Sequence, residues 1–346
     1  MRFRNSLRLL MGNFKNAYKI LVYNLIVIVI AGAIGAALVY PSLKDILKSQ
    51  EMSQIFLDIK AFLKAIVTGD NEFLVSFQDK FTGAGGTLRN FIALLKTKIS
   101  GIIFAVAGGV FIYLIQRFLN TLCFFSVASI LDDRMATYSE THFWDAYIKE
   151  LGRASVYSLV YVPIVFLYDV LMISLCYFLF FYLFSFLNLI VCLFLSVTFI
   201  VLSQAIKLTW TSMWLPAMVT DKQGICQAMK MKDKATRKQR QKIFLTYVTT
   251  VYIVIVVNVV SAFATIGSAL LVTIPASYFF FICQQFVNYY TVKGKKYFVS
   301  YESVVVNPSY GRRDGFFTAM ENATLELAET SKKEQEKLAE KDVSKE

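Results

Sequence analysis

Three ionisable residues interrupt the apolar runs of this sequence: Arg117, Asp169 and Lys207. A charge in hydrocarbon is costly, so a chain keeps one there to pair it, to move a proton or to line a polar path. Asp169 is the sharpest case. Its run opens near Ser155, which at about 1.5 Å per residue puts the carboxyl roughly 20 Å into the span. A carboxylate is too short to reach back to water, so Asp169 is expected to be protonated, paired or hydrated. Arg117 and Lys207 lie near the ends of their runs and are long enough to snorkel. Asn258 sits at a depth similar to Asp169 in a later run, and Gln284 and Gln285 add amides. Asp169, Asn258, Arg117, Lys207, Gln284 and Gln285 form the candidate intramembrane polar site. Two chemistries fit it: hydrogen bonding between helices, or a substrate or proton pathway.

Soluble-enzyme motifs are missing. The sequence has no GxxxxGK[ST] phosphate loop, GxSxG elbow, HExxH or GxGxxG. His142 is the only histidine, which excludes a multi-histidine metal cluster within one chain. Among the 5 cysteines, Cys123, Cys176, Cys192 and Cys283 lie in apolar runs and Cys226 in a basic link, with no CxxC pair. Neither a disulfide framework, a metal site nor a cofactor is indicated.

These groups must be held by apolar elements. The chain has 346 residues, 56% hydrophobic and 17% charged, with mean hydropathy +0.54. Soluble domains carry about 45–50% apolar and about 25% charged residues. A span needs about 20 apolar residues, and the pattern predicts an all-α, polytopic membrane bundle with about six transmembrane helices. The first span is 20–40 and the second 99–131. The third and fourth share 154–210, with Ser185 and Asn188 as the outer hinge. The fifth is 243–270 and the sixth 271–290, entered through a tight turn near Gly267, Ser268 and Pro275. The N-terminal apolar run is too long for a signal sequence and reads as a retained span.

Lysine and arginine placement sets the orientation. Arg2, Arg4, Arg8, Lys15 and Lys19 precede the first span without an acidic residue among them. Lys222 to Lys242 is strongly basic, and Lys293, Lys295 and Lys296 follow the sixth span. With six spans all of these fall on one side, so both termini are expected to be cytoplasmic. The net charge of +12 then belongs to the inner surface of a cell membrane and not to nucleic-acid binding. The densest run, Lys230, Lys232, Lys234, Arg237, Lys238, Arg240 and Lys242, is a candidate surface for anionic lipid head groups.

The chain divides into a basic amphipathic segment (1–19), the first span (20–40), an outer helical cap (41–98), a membrane bundle carrying spans two to six (99–292) and a cytoplasmic tail (293–346). In the cap, Met52, Ile55, Phe56, Ile59, Phe62, Leu63 and Ile66 recur at helical spacing, with Asp58 off that face. Leu88, Phe91, Ile92 and Leu95 predict a second helix after Gly83-Ala84-Gly85-Gly86. The links Ser139–Arg153 and Asp221–Lys242 both read as interfacial helices, compatible with a repeated two-span unit. Small residues at four-residue spacing (Gly101, Ala105, Gly109; Ala31, Gly35) predict close helix approach. The tail opens with an extended segment, 297–306, continues as a helix from Asp314 and is expected to be disordered from about 331.

One stretch carries a resemblance. Trp214-Leu-Pro-Ala-Met-Val-Thr-Asp-Lys-Gln-Gly-Ile-Cys-Gln-Ala-Met-Lys resembles a pattern of bacterial six-span integral membrane proteins, similar to the membrane domain attached to some glycerophosphodiester phosphodiesterases. Pro216, Asp221, Gly224, Ala228 and Lys230 carry it, over about one tenth of the 346 residues. The resemblance implies an all-α bundle in a bacterial cytoplasmic membrane. It brings no catalytic domain. The expected function is a structural, regulatory or accessory membrane component. The alternatives are a transporter of a small solute, ion or lipid through the interior around Asp169, and a membrane-embedded lipid enzyme, for which catalytic groups are scarce.

Overall fold

Long apolar runs close into helices because hydrocarbon offers no partner for free backbone N–H and C=O groups. The computed structural model describes residues 2–83, 85–184, 189–230, 236–300 and 303–305. Among them, 6 helices are long and apolar enough to cross a membrane: Lys15–Leu38, Ile99–Thr137, Phe143–Phe180, Phe194–Thr220, Arg237–Ala264 and Leu270–Lys293. The protein is an all-α, multi-pass membrane protein. Its described chain contains α1 (Arg2–Gly12), α2 (Lys15–Leu38), α3 (Tyr40–Leu47), α4 (Gln50–Thr68), α5 (Asn71–Thr82), α6 (Thr87–Thr97) and α7 (Ile99–Thr137). Then follow α8 (Phe143–Tyr177) with a π-helical end (Phe178–Leu183), α9 (Leu189–Thr211), α10 (Trp214–Thr220), α11 (Ile225–Lys230), α12 (Arg237–Ala264) and α13 (Leu270–Lys293). Strands β1 (Tyr297–Ser300) and β2 (Ser303–Val305) close the described chain. They pair antiparallel, Tyr297 opposite Val305 and Phe298 opposite Val304.

Two units divide the chain. One holds residues 1–21 and 122–346. In it α12 packs against α9 and α13, α8 lies on α9, and α10 meets α11 and α13. The basic helix α1 lies along α13 and touches β1. Its inward side is fixed by Leu9, by a Phe3–Phe280 edge-to-face contact at 5.5 Å and by Asn5 Nδ2, which donates to the Tyr297 hydroxyl at 3.0 Å. The largest fully buried side chains are mostly aromatic: Phe125, Trp214, Tyr247, Phe279, Phe286, Tyr289, Tyr290 and Tyr297.

The other unit holds residues 22–121. Small residues on α7 meet the α2–α3 junction there. A Cβ at Gly108 would sit 3.3 Å from Val39 Cγ2, and one at Gly101 would sit 3.1 Å from the Ser42 carbonyl. Gly101 and Gly35, read from the sequence, make such contacts, the latter 3.7 Å from Ile112 Cδ1; at Gly109 nothing lies within 4 Å, and the contact falls on Gly108 instead. Helices α4, α5 and α6 pack on one another. Ser49 caps α4 by accepting from Met52 N at 3.1 Å, and Gly69 ends it with φ 72°.

Several expectations change. The segment expected as an outer cap holds α3 to α6 where two helices were expected. The spacing of Phe73, Phe77 and Phe81 builds α5, with Phe77 lying 4.6 Å from Phe62. The face of α4 is also rotated. Asp58 is 5% exposed and accepts from Thr87 Oγ1 at 2.6 Å and Gln54 Nε2 at 3.0 Å, while Phe56, Ile59 and Leu63 face outward. A carboxylate with two donors is cheaper to bury than its charge alone implies. The link 139–153 is no separate interfacial helix, because α8 runs unbroken from Phe143 through the span. Pro275 lies inside α13, and the turn before it is made by Ile266 (φ 52°) and Gly267 (φ 88°). Within the expected extended segment at 297–306, residues 297–300 and 303–305 are the paired strands β1 and β2. The hinge at Ser185 and Asn188, the helix from Asp314 and the tail beyond 331 lie outside the described residues.

Candidate functional site

The α8–α9 hairpin carries the charged seam. Asp169 on α8 and Lys207 on α9 form an ion pair at 2.7 Å, with side chains 18% and 11% exposed. Gln204 Nε2 adds a hydrogen bond to the same Asp169 oxygen at 3.2 Å. From the neighbouring positions in the chain, the Tyr168 hydroxyl donates to the Ser203 carbonyl at 2.9 Å. Lys207 therefore meets Asp169 instead of stretching to the end of its helix. Lys207 stands one turn before the end of α9, and the candidate span runs on through α10 to Thr220. The pair satisfies each charge with the other.

A neutral seam joins α12 to α13. Asn258 Nδ2 donates to Ser277 Oγ at 3.2 Å, and Thr273 Oγ1 donates to Asn258 Oδ1 at 2.7 Å. Arg117 belongs to the other unit, where its Nε donates to the Tyr113 hydroxyl at 2.9 Å on the same helix. Gln284 and Gln285 stand two turns along α13 from Ser277, about 10 Å away by helix rise. The six candidate residues thus fall into separate groups.

Gln284 lies in a third environment. Both of its amide atoms, both of Asn288, Oε1 of Gln285, the Tyr247 hydroxyl, Nε1 of Trp214 and Oγ of Ser158 are buried without a hydrogen-bond partner among the described residues. Gln284 and Asn288 are one helical turn apart on α13. The Tyr247 hydroxyl lies beside Asn288 and Ser212 but meets neither with hydrogen-bond geometry. Native interiors satisfy nearly all buried polar groups, so Gln284 and Asn288, with the Tyr247 hydroxyl beside the latter, call for partners of their own, usually ordered water.

A layer of paired acids lies at the ends of these helices. Asp221, just after α10, accepts from Tyr289 at 2.6 Å, Lys293 at 2.7 Å and Lys295 at 2.8 Å. Burial alone would push its carboxyl up, but these three donors outweigh burial and hold it down at about 2. Asp132 accepts from Thr220 at 2.6 Å and Tyr290 at 2.8 Å. Glu150, 2% exposed, is clamped by Arg153 at 2.6 Å and Lys222 at 3.0 Å. Asp132 and Glu150 escaped the sequence reading because each lies in a charged link where a solvated side chain is the ordinary outcome. The residues of the quoted pattern have clear local roles. Pro216 and Ala228 are buried, and the Gly224 carbonyl accepts from the amides of Gln227 and Ala228 at the start of α11.

Lys230, Arg237, Lys238, Arg240 and Lys242 are all exposed, and Lys232 and Lys234 lie outside the described residues. Four of these cations stand on the first turns of α12. A capping box of Thr236 and Gln239 starts that helix, with no acid in its first turn. A helix N-terminus is the positive end of its dipole, so cations there are unfavourable unless an anion faces them. No group of three or more metal-ligating side chains occurs among the described residues. Comparison with known proteins finds no matching family model, curated protein or solved structure.

Proposed function

We propose that this chain is a structural or accessory component of a cytoplasmic membrane of bacterial type, with both termini inside. The observation that carries the reading is the closed Asp169–Lys207 pair with its Gln204 donor. A carboxylate committed to an ammonium at 2.7 Å is neutralised in place and serves as a fixed joint between helices. The repeat enters this proposal as two polar-seamed hairpins, α8–α9 and α12–α13. The exposed cations at the start of α12 support contact with anionic lipid head groups, which supply the charge that the helix end lacks.

A specific observation favours a second reading, transport of a small solute, ion or lipid: the unpaired polar cluster around Gln284 and Asn288. Water that satisfies those atoms would be the beginning of a path. Reconstituted vesicles loaded with a pH-sensitive dye separate the readings for protons. The accessory reading expects flux equal to that of empty vesicles. A proton flux that disappears in Asp169→Asn would overturn it. Orientation is tested through Cys226, which is exposed while Cys123, Cys176, Cys192 and Cys283 are buried. An impermeant thiol reagent should label Cys226 only after lysis, and labelling of intact cells would reverse the topology.

A further inference from the structure

A cavity of about 820 Å³ opens where the α1–α2 junction meets the end of α7 and the start of α8. Its volume lies in the range of small-molecule sites. Three cations line it, Lys15, Lys19 and Arg134, against a single carboxylate, Glu140. Glu140 holds Arg134 only loosely, at 3.3 Å, and is itself 78% exposed. His142 also lines the cavity as the N-cap of α8, and its side chain caps nothing. The free N–H groups of a 35-residue helix therefore begin at this wall, a place that favours anions even with Asp145 in the first turn. Asn13 is 4% exposed and lines the cavity; its Nδ2 donates to the Leu9 carbonyl, while its Oδ1 has no partner. That oxygen asks for a donor such as a hydroxyl. Met11 and Trp144 also line the cavity and are both more than half exposed, an aliphatic and aromatic mix of the kind that sits at a membrane–water boundary.

We propose that this cavity binds a phosphate anion carried on a hydroxyl-bearing head group, with a membrane lipid as its source. Lys15 and Lys19 supply the charge and the start of α8 supplies N–H donors. Asn13 accepts the hydroxyl, and the exposed apolar rim lies along the acyl chains. The site is separate from the basic run at 230–242, and it goes beyond the accessory reading without resting on the Asp169 pair. It shares with that reading only the inner-leaflet orientation.

The test uses the purified full chain in neutral detergent and follows the unfolding midpoint during titration. The probes are phosphatidylglycerol, phosphatidylcholine and glycerol 3-phosphate. Phosphatidylglycerol is expected to give a saturable rise that phosphatidylcholine does not give. Lys15→Gln with Lys19→Gln should weaken it about tenfold or more, while the Lys→Arg pair keeps it. The exposed single change Lys15→Glu is the second variant if the double change perturbs folding. Neutralising Arg237, Lys238, Arg240 and Lys242 should leave the rise in place. A saturable response to glycerol 3-phosphate alone supports the phosphate site and assigns it a soluble source. Equal responses to the two lipids, or an unchanged response in both Lys15 variants, would overturn the proposal.

Discussion

The α8–α9 seam and the Gln284 cluster are both polar regions within one helical unit, and they treat their polar atoms in opposite ways. Asp169 spends one carboxylate oxygen on Lys207 and Gln204. Gln284 and Asn288 spend nothing, although both are fully buried. The seam is costly to break from one side, because whichever charge survives is left in a medium that cannot solvate it. The cluster is costly as it stands, unless water or a ligand completes it. Charge complementarity thus builds a joint, and unpaired amides mark a place that something else must fill.

The largest effect should come from breaking the joint on one side. Asp169→Ala removes the carboxylate that Lys207 meets at 2.7 Å and is expected to cost about 3–5 kcal/mol. Replacing both residues by apolar ones of similar size should recover most of that loss, as read by thermal unfolding in detergent. Next comes the cluster. If it is dry, Gln284→Met with Asn288→Leu relieves unsatisfied amides and stabilises by about 1–3 kcal/mol. A loss of similar size would show that the amides hold water or a solute, and would strengthen the transport reading. A smaller effect comes from Asp221, whose folded-state carboxyl is held down at about 2 against an ordinary 3.8. Because the folded value is depressed, its contribution is present above about pH 4 and is lost as pH falls towards 2. That loss should be about 1 kcal/mol for so partly screened a group, and Asp221→Asn should abolish this part of the acid sensitivity. The smallest effect is expected at the neutral seam. Asn258→Leu leaves only hydroxyls behind and should cost about 0.6 kcal/mol, which a double-mutant cycle with Thr273→Val resolves.

Much of the architecture was legible because each span must satisfy its own backbone inside hydrocarbon, which makes it readable from a local run of residues. Asp169 was legible for the same reason, as a carboxyl too short to leave its run. Its partner was not. Lys207 lies 38 positions away in the chain, and only the packing of α8 on α9 brings it within 2.7 Å of Asp169. Helix α4 shows the same limit. The apolar spacing on α4 marks a helix, but Thr87 and Gln54 turn Asp58 inward and leave Phe56 outward.

Composition and run length by themselves determined that this is a multi-pass, all-α membrane protein, since those properties are sums over neighbouring residues. Tertiary structure alone decided which polar groups meet. It paired Asp169 with Lys207 and gathered Tyr289, Lys293 and Lys295 on Asp221. It also left Gln284 and Asn288 unpaired and drew Lys15, Lys19 and Arg134 around one cavity. A polar atom's cost is set by what lies within about 3 Å of it, and residues that distant in the chain reach that range only once the helices have packed.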